Sequence, residues 1–262
     1  MRYAVLADIH GNLHALDAVL EAVRPLGVDD YLVAGDLVGY GPFPNECVAR
    51  VAELRATCVA GNHDLMVLGL LTDERCIPLA RRSLAWTREV LRDDARAYLQ
   101  GLPRRVETGG VVITHGSLDH SWEYTRRPDQ AVRQLARVAR EHPGARTLVL
   151  GHTHRVWACE DTGRERRPGP DGIIPLPSGL LLVNPGAVGQ SRELKVRARF
   201  VVLDLENRTA SFQSVRYDAA ACRDALRERG LSPRSHHLRP TARGAVRRFV
   251  SGVRRAGTLA RH

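Results

Sequence analysis

The chain has 262 residues, 44% of them hydrophobic and 26% charged, which is the make-up of a globular protein long enough to bury a core without disulfide or metal staples. Its net charge of +10 points toward nucleic acid, but residues 233–262 hold eight arginines and no acid, so residues 1–232 carry only +2. Five widely spaced cysteines without a CxxC pair exclude a disulfide framework and a cysteine zinc site. No run approaches the ~18 apolar residues of a membrane span, and the opening MRYAVLADIHGN has no signal-peptide pattern, so the expectation is a cytoplasmic protein.

Residues 3–7 read as a strand, and Leu13, Leu16, Val19, Leu20 and Val23 then recur at helical spacing up to Pro25 and Gly27. A strand at 31–34, a helix at 45–54 and a short strand at 58–60 follow. Residues 78–102 read as helical and form a candidate cap over the site. Strands at 111–114 and 147–150 flank an amphipathic helix at 130–140. Beyond them, 156–160, 180–184, 198–205 and 210–217 read as strands joined by turns, with an exposed Pro-, Gly- and Arg-rich loop at 161–179 and a closing helix at 218–229. A βαβ half followed by a more antiparallel half predicts two sheets packed face to face with helices outside, in one domain over 1–232. The tail 233–262 places Val246, Phe249, Val250 and Val253 on one stripe of a basic amphipathic helix. Docking on the body, an anionic surface and nucleic acid are its candidate partners.

The residues able to bind metal lie where strands end. Asp8 and His10 stand in DIHGN, Asp36 in GDLVGYGP, Asn62 and His63 in GNHD, His115 in THGS, and His152 and His154 in GHTH. Any one of these motifs arises by chance; the ordered set at the carboxyl edge of an α/β sheet marks a ligand site. Carboxylate, imidazole and amide oxygen without thiolate suit Mn, Fe, Zn or Ni. Two such ions ~3.5–4 Å apart clamp a phosphate and activate water, and Asp36 is the natural shared carboxylate.

The set DIH, GDLVGYGP, GNHD, TH and GHTH resembles the calcineurin-like metallophosphoesterase superfamily, most closely its small bacterial branch related to diadenosine tetraphosphatases and compact phosphodiesterases. NPGAVGQSR, residues 184–192, is similar to a segment of that branch, and the resemblance spans about residues 1–217. It implies a four-layer αββα sandwich of two mixed sheets with flanking helices. It also implies two divalent ions, manganese first among them, with Asp8, His10 and His154 on one, Asn62, His115 and His152 on the other, and Asp36 between. His63 is then free to donate a proton to the leaving oxygen, oriented by Asp64, while Asn12 and Arg192 are candidate phosphate contacts. The implied reaction is in-line attack of a metal-bridging hydroxide on a phosphate ester or nucleotide anhydride, without a phosphoenzyme. The alternative is a non-catalytic protein-binding scaffold on the same fold. The complete ligand set, with His63, argues for the enzyme.

Overall fold

The computed structural model describes residues 1–169 and 171–240. The amphipathic helix expected around residues 246–253 lies outside the described residues.

The chain runs β1 (Arg2–Leu6), α1 (Leu13–Val23), β2 (Asp30–Val33), α2 (Pro44–Glu53), β3 (Thr57–Cys58), α3 (Asn62–Val67), α4 (Pro78–Val90), α5 (Asp93–Gln100), β4 (Arg105–Thr108) and β5 (Val111–Thr114). It continues through α6 (Pro128–Glu141), β6 (Thr147–Val149), β7 (Val156–Glu160), β8 (Glu165–Arg166), β9 (Ile173–Pro175), β10 (Leu181–Pro185), β11 (Ala198–Asp204), β12 (Thr209–Val215) and α7 (Ala219–Glu228). One six-stranded sheet has the order β3-β2-β1-β11-β12-β9 and the other β4-β5-β6-β10-β7-β8. Both are mixed, because β1–β2, β2–β3, β5–β6 and β6–β10 are parallel and the remaining pairs antiparallel.

Strand alternation builds the four layers. In β1, Tyr3 and Val5 enter the core between the sheets, with Val111, Ile113 and Phe212, whereas Ala4 and Leu6 face outward to Val19, Val48, Leu84 and Leu99 of the helices. In the second sheet, Val112 and Leu148 face Ala131, Leu135 and Val138 of α6, while Val149 joins the inter-sheet core. Spacing of i, i+4 and i+7 puts the α6 residues on one stripe. Pro44, Pro78 and Pro128 open α2, α4 and α6 at the position where a missing N–H costs nothing. No helix among the described residues is long and apolar enough to cross a membrane.

The local reading changes in four places. Residues 161–179 are not one loop. They contain β8 and β9, and β9 closes the first sheet by pairing Ile173, Ile174 and Pro175 with Ser211, Ala210 and Thr209. The edge strand β4 carries no apolar run, only Arg105-Val106-Glu107-Thr108, and forms because β5 offers it a partner. Residues 78–102 form two helices that break at Leu91 and Arg92. Ala95 and Leu99 of α5 pack into the helix-layer core, and the start of α4 alone borders the site. Residues 233–240, assigned to the tail from sequence, return to the body. There Gln190 Nε2 donates to Ser235 O (3.1 Å) and Leu238 N–H to Ser191 O (3.0 Å).

Candidate metal centre

The turns after β1, β2, β3, β5 and β6 meet at one edge of the sandwich, so ligands from both sheets face one another. Asp8, His10 and His154 form one trio, Asp36, His115 and His152 another, and His63 completes a third with His10 and Asp36, each with candidate ligand atoms within 4.8 Å of one another. Asn62 joins through Oδ1, 3.0 Å from His115 Nε2.

The imidazoles are oriented from behind. Nδ1–H of His10 donates to Val38 O (3.1 Å), that of His115 to Ala34 O (2.6 Å) and that of His154 to Gln190 O (2.8 Å), so Nε2 of each faces the centre. His152 is reversed: its Nε2–H donates to Trp122 O (3.0 Å), which leaves Nδ1 as the ligand atom. His10 Nε2 stands 3.3 Å from His154 Nε2 and 3.5 Å from Asp36 Oδ2, and His154 Nε2 stands 3.4 Å from Asp8 Oδ1. Buried Asp8 Oδ2 and Asp36 Oδ2 have no hydrogen-bond partner among the described residues. Facing lone pairs and buried carboxylate oxygens, of which that of Asp36 has the His115 Nε2 at 3.2 Å, are costly unless a cation lies between them, so the residues present fit metal.

Local backbone supports the same geometry. Asp8, His10, Asp36, His152 and His154 all have left-handed backbones, with φ of 55°, 50°, 58°, 64° and 56°. Each costs about 1–2 kcal/mol in a non-glycine residue, so the tight turns store strain where the ligands converge. Close approach also needs glycine at 61: a Cβ there would lie 2.1 Å from Asp36 Oδ1.

Burial disfavours charge on the rings and lowers the imidazoles of His10 and His154, and that of His152 to about 3. At His115 burial is overcome by the carboxylates of Asp36 and Asp8, and the ring rises to about 9. Burial pushes Asp8 up to about 7, while His115 and His63 overcome burial at Asp36 and hold its carboxyl well below the usual range. His63 is lowered to about 4, chiefly by burial.

Two expected roles change. Asp64 does not orient the His63 ring, whose buried Nδ1 has no partner among the described residues. Instead Asp64 Oδ1 accepts from the N–H groups of Leu37 (2.9 Å) and Val38 (3.2 Å), and Oδ2 from those of Asp36 (2.9 Å) and Gly61 (2.9 Å). Burial and the neighbouring Asp36 push its carboxyl up, but four N–H donors leave neither oxygen free for a proton, and we take it as ionised. Asp64 thus fastens the turn bearing Asp36 to the turn bearing Asn62. Asn12 is also spent on structure: its Oδ1 accepts from Ala15 N–H (3.2 Å) as the N-cap of α1, and its Nδ2 donates to Gly189 O (2.7 Å).

A cavity of about 790 Å³ opens over the cluster, with Asp36, Asn62, His63, His152 and His154 on its floor. Arg192 lines it. Its other walls come from the stretch between α3 and α4 (Leu71, Glu74, Ile77), from Trp122 and Tyr124, and from Leu238. Sequence reasoning missed these. Trp122 and Tyr124 lie in a loop without periodicity, and Tyr124 stacks on His152 at 4.0 Å. Tyr40, just after Asp36 in GDLVGYGP, is buried with its ring 4.8 Å from that of His10 and 4.7 Å from that of His63.

Two mixed sheets whose parallel strands deliver an Asp/His/Asn cluster to a common edge define the calcineurin-like phosphoesterases. The chain belongs to that superfamily, whose domain model matches residues 1–208. An uncharacterized protein of Methanocaldococcus jannaschii is 31% identical over 222 residues, 82% of this chain and 87% of that one. The crystal structure of a metallophosphoesterase from Sphaerobacter thermophilus matches with a TM-score of 0.76 and 34% identity, over 88% of this chain and 94% of its own. A hypothetical protein from Pyrococcus horikoshii shares the fold, with a TM-score of 0.71 and 21% identity over 89% and 95% of the two chains.

Proposed function

We propose that the protein is a binuclear metal-dependent phosphoesterase. The observation that carries this reading is the pair of facing Nε2 atoms of His10 and His154, 3.3 Å apart with both Nδ1 atoms committed to carbonyls, beside the buried carboxylate oxygens of Asp8 and Asp36. Asp8, His10 and His154 would hold one divalent ion, Asn62, His115 and His152 the second, with Asp36 shared and manganese the first choice. When bound, the two ions supply positive charge to the phosphoryl oxygens and acidify water.

The chain's own residues do the rest. Arg192 places a guanidinium on the phosphate from the cavity wall. His63 lines the cavity and, with the negative charge of a bound phosphate beside it to favour the protonated ring, donates a proton to the leaving oxygen. Trp122, Tyr124 and the Leu71–Ile77 wall enclose the site and limit the water that reaches it. A phosphate ester or nucleotide anhydride fits this arrangement.

The test is hydrolysis of chromogenic mono- and diesters by metal-stripped protein, with Mn, Fe, Ni, Zn, Mg or nothing restored. Metal-dependent turnover that disappears in Asp36→Asn is expected. Absence of turnover with every metal and ester refutes the reading and leaves the scaffold.

A further inference from the structure

A second cavity, about 380 Å³, adjoins the first, and Tyr124 and Arg192 line both. The wall between them is the GHTH turn itself. His152 and His154 face the large cavity, whereas Thr153 and Arg155, the residues between and after them, face the small one. Because Tyr124 and Arg192 border both, the two cavities lie side by side, within the span of a nucleotide-sized molecule.

The small cavity is strongly basic. Arg126, Arg155, Arg167 and Arg192 line it, from the loop before α6, the GHTH turn, the strand-end after β8 and the turn after β10. Its one acid is Glu193, whose Oε2 accepts from Arg199 Nη2 (2.6 Å) and Nε (3.0 Å) and is thereby neutralised. Arg126 is braced over the Tyr124 ring at 5.0 Å, and Arg167 donates from one Nη2 to Glu165 (3.2 Å). The floor includes Trp157, which is 6% exposed and whose indole N–H has no acceptor among the described residues. Guanidinium groups that line one cavity from separate segments give it an excess of positive charge, even with Arg167 paired to Glu165, and a phosphate, which accepts from two or more forks at once, matches that charge.

We propose that this cavity is a second phosphate subsite, which takes a phosphate group that the substrate carries beyond the one cleaved at the metal cluster. The assignment of which phosphate is cleaved rests on the phosphoesterase reading above. The preferred substrates are then small molecules with two separated phosphate groups, and the arginine pocket acts on affinity and not on the chemical step.

The experiment uses the full-length, metal-loaded protein and two esters that differ by one phosphate: thymidine 5′-(p-nitrophenyl phosphate) with and without a 3′-phosphate. The expected result is a preference of about tenfold in kcat/KM for the 3′-phosphorylated ester, carried by KM and weakened by salt. In the Arg126→Ala/Arg167→Ala double variant that preference disappears while hydrolysis of the unphosphorylated ester is unchanged; both side chains are exposed, and an unaltered melting temperature checks the fold. Equal kcat/KM for the two esters, or a preference that survives the double substitution, overturns the proposal. If neither ester turns over with any metal, the phosphoesterase reading fails by itself, and calorimetry decides the subsite. Tighter binding of thymidine 3′,5′-bisphosphate than of the 5′-monophosphate, lost in the double variant, upholds it; equal affinities overturn it.

Discussion

Replacing Asp64 by asparagine keeps the side-chain volume and exchanges one carboxylate oxygen for an amino group. In the native protein each oxygen accepts two backbone N–H groups, all at 2.9–3.2 Å and all buried. Whichever way the amide turns, its NH2 faces two N–H donors, so two hydrogen bonds to a charged group are lost and two buried donors are stranded. At about 1.5–3 kcal/mol for each bond to a charged group, the loss is about 3–6 kcal/mol before any relaxation. That is a large share of the roughly 5–15 kcal/mol by which domains are stable. Urea unfolding with chelator present isolates the effect from metal binding, and thermal scans should show a fall of roughly 10 °C or more. Because the bonds tie residues 36–38 to Gly61, the same variant should bind manganese more weakly in a calorimetric titration. A variant within about 1 kcal/mol of wild type, with unchanged metal affinity, would refute the assignment of Asp64 as the fastener of these two turns.

Two other outcomes follow from the geometry. His63→Ala should lower kcat about 10²-fold or more on esters with alkoxide leaving groups and far less on p-nitrophenyl esters, whose leaving group needs no proton; an equal loss on both would remove His63 as the proton donor. Asp204 accepts from Arg2 Nε (2.9 Å) and Nη2 (2.6 Å) and from Asn207 N–H (2.9 Å) and Nδ2 (2.8 Å), and the Asn207 bonds, with those of Arg2, hold its carboxyl well below the usual range. A depressed folded value means that the stabilisation is complete above the unfolded pKa of about 4 and is lost as pH falls through the folded value. Discounted for the partly exposed Arg2, Asp204→Asn should cost about 1–2 kcal/mol at pH 7, and the gap should begin to narrow below about pH 4 in urea titrations; a constant gap would contradict the linkage.

The candidate ligand set was legible because each of its residues stands just after an apolar strand, and strand ends are where parallel sheets gather their chemistry. The αβ alternation of the first half was legible for the same reason: Leu13, Leu16, Val19 and Val23 repeat with a helical period between two apolar runs. What escaped is tertiary in origin. Ile173–Pro175 becomes a strand only because Thr209–Ser211 offers an unpaired edge. The partners of Asp64 come from two different motifs, so its place after His63 suggested a local role that the fold overrides. Asn12 lies beside His10, yet its neighbours in space are Ala15 and Gly189. Trp122, Tyr124 and Leu238 reach the cavity through loop courses that no periodicity encodes.

The division of the ligands between the sheets has a consequence for how the molecule comes apart. Asp8, His10, Asp36 and Asn62 follow strands of one sheet, and His115, His152 and His154 follow strands of the other, with an apolar core between the two layers behind them. An ion held by residues of both layers would act as a rivet through the inter-sheet core and resist their separation until it is released. On that reading, metal loss in a denaturation time course should coincide with the parting of the sheets.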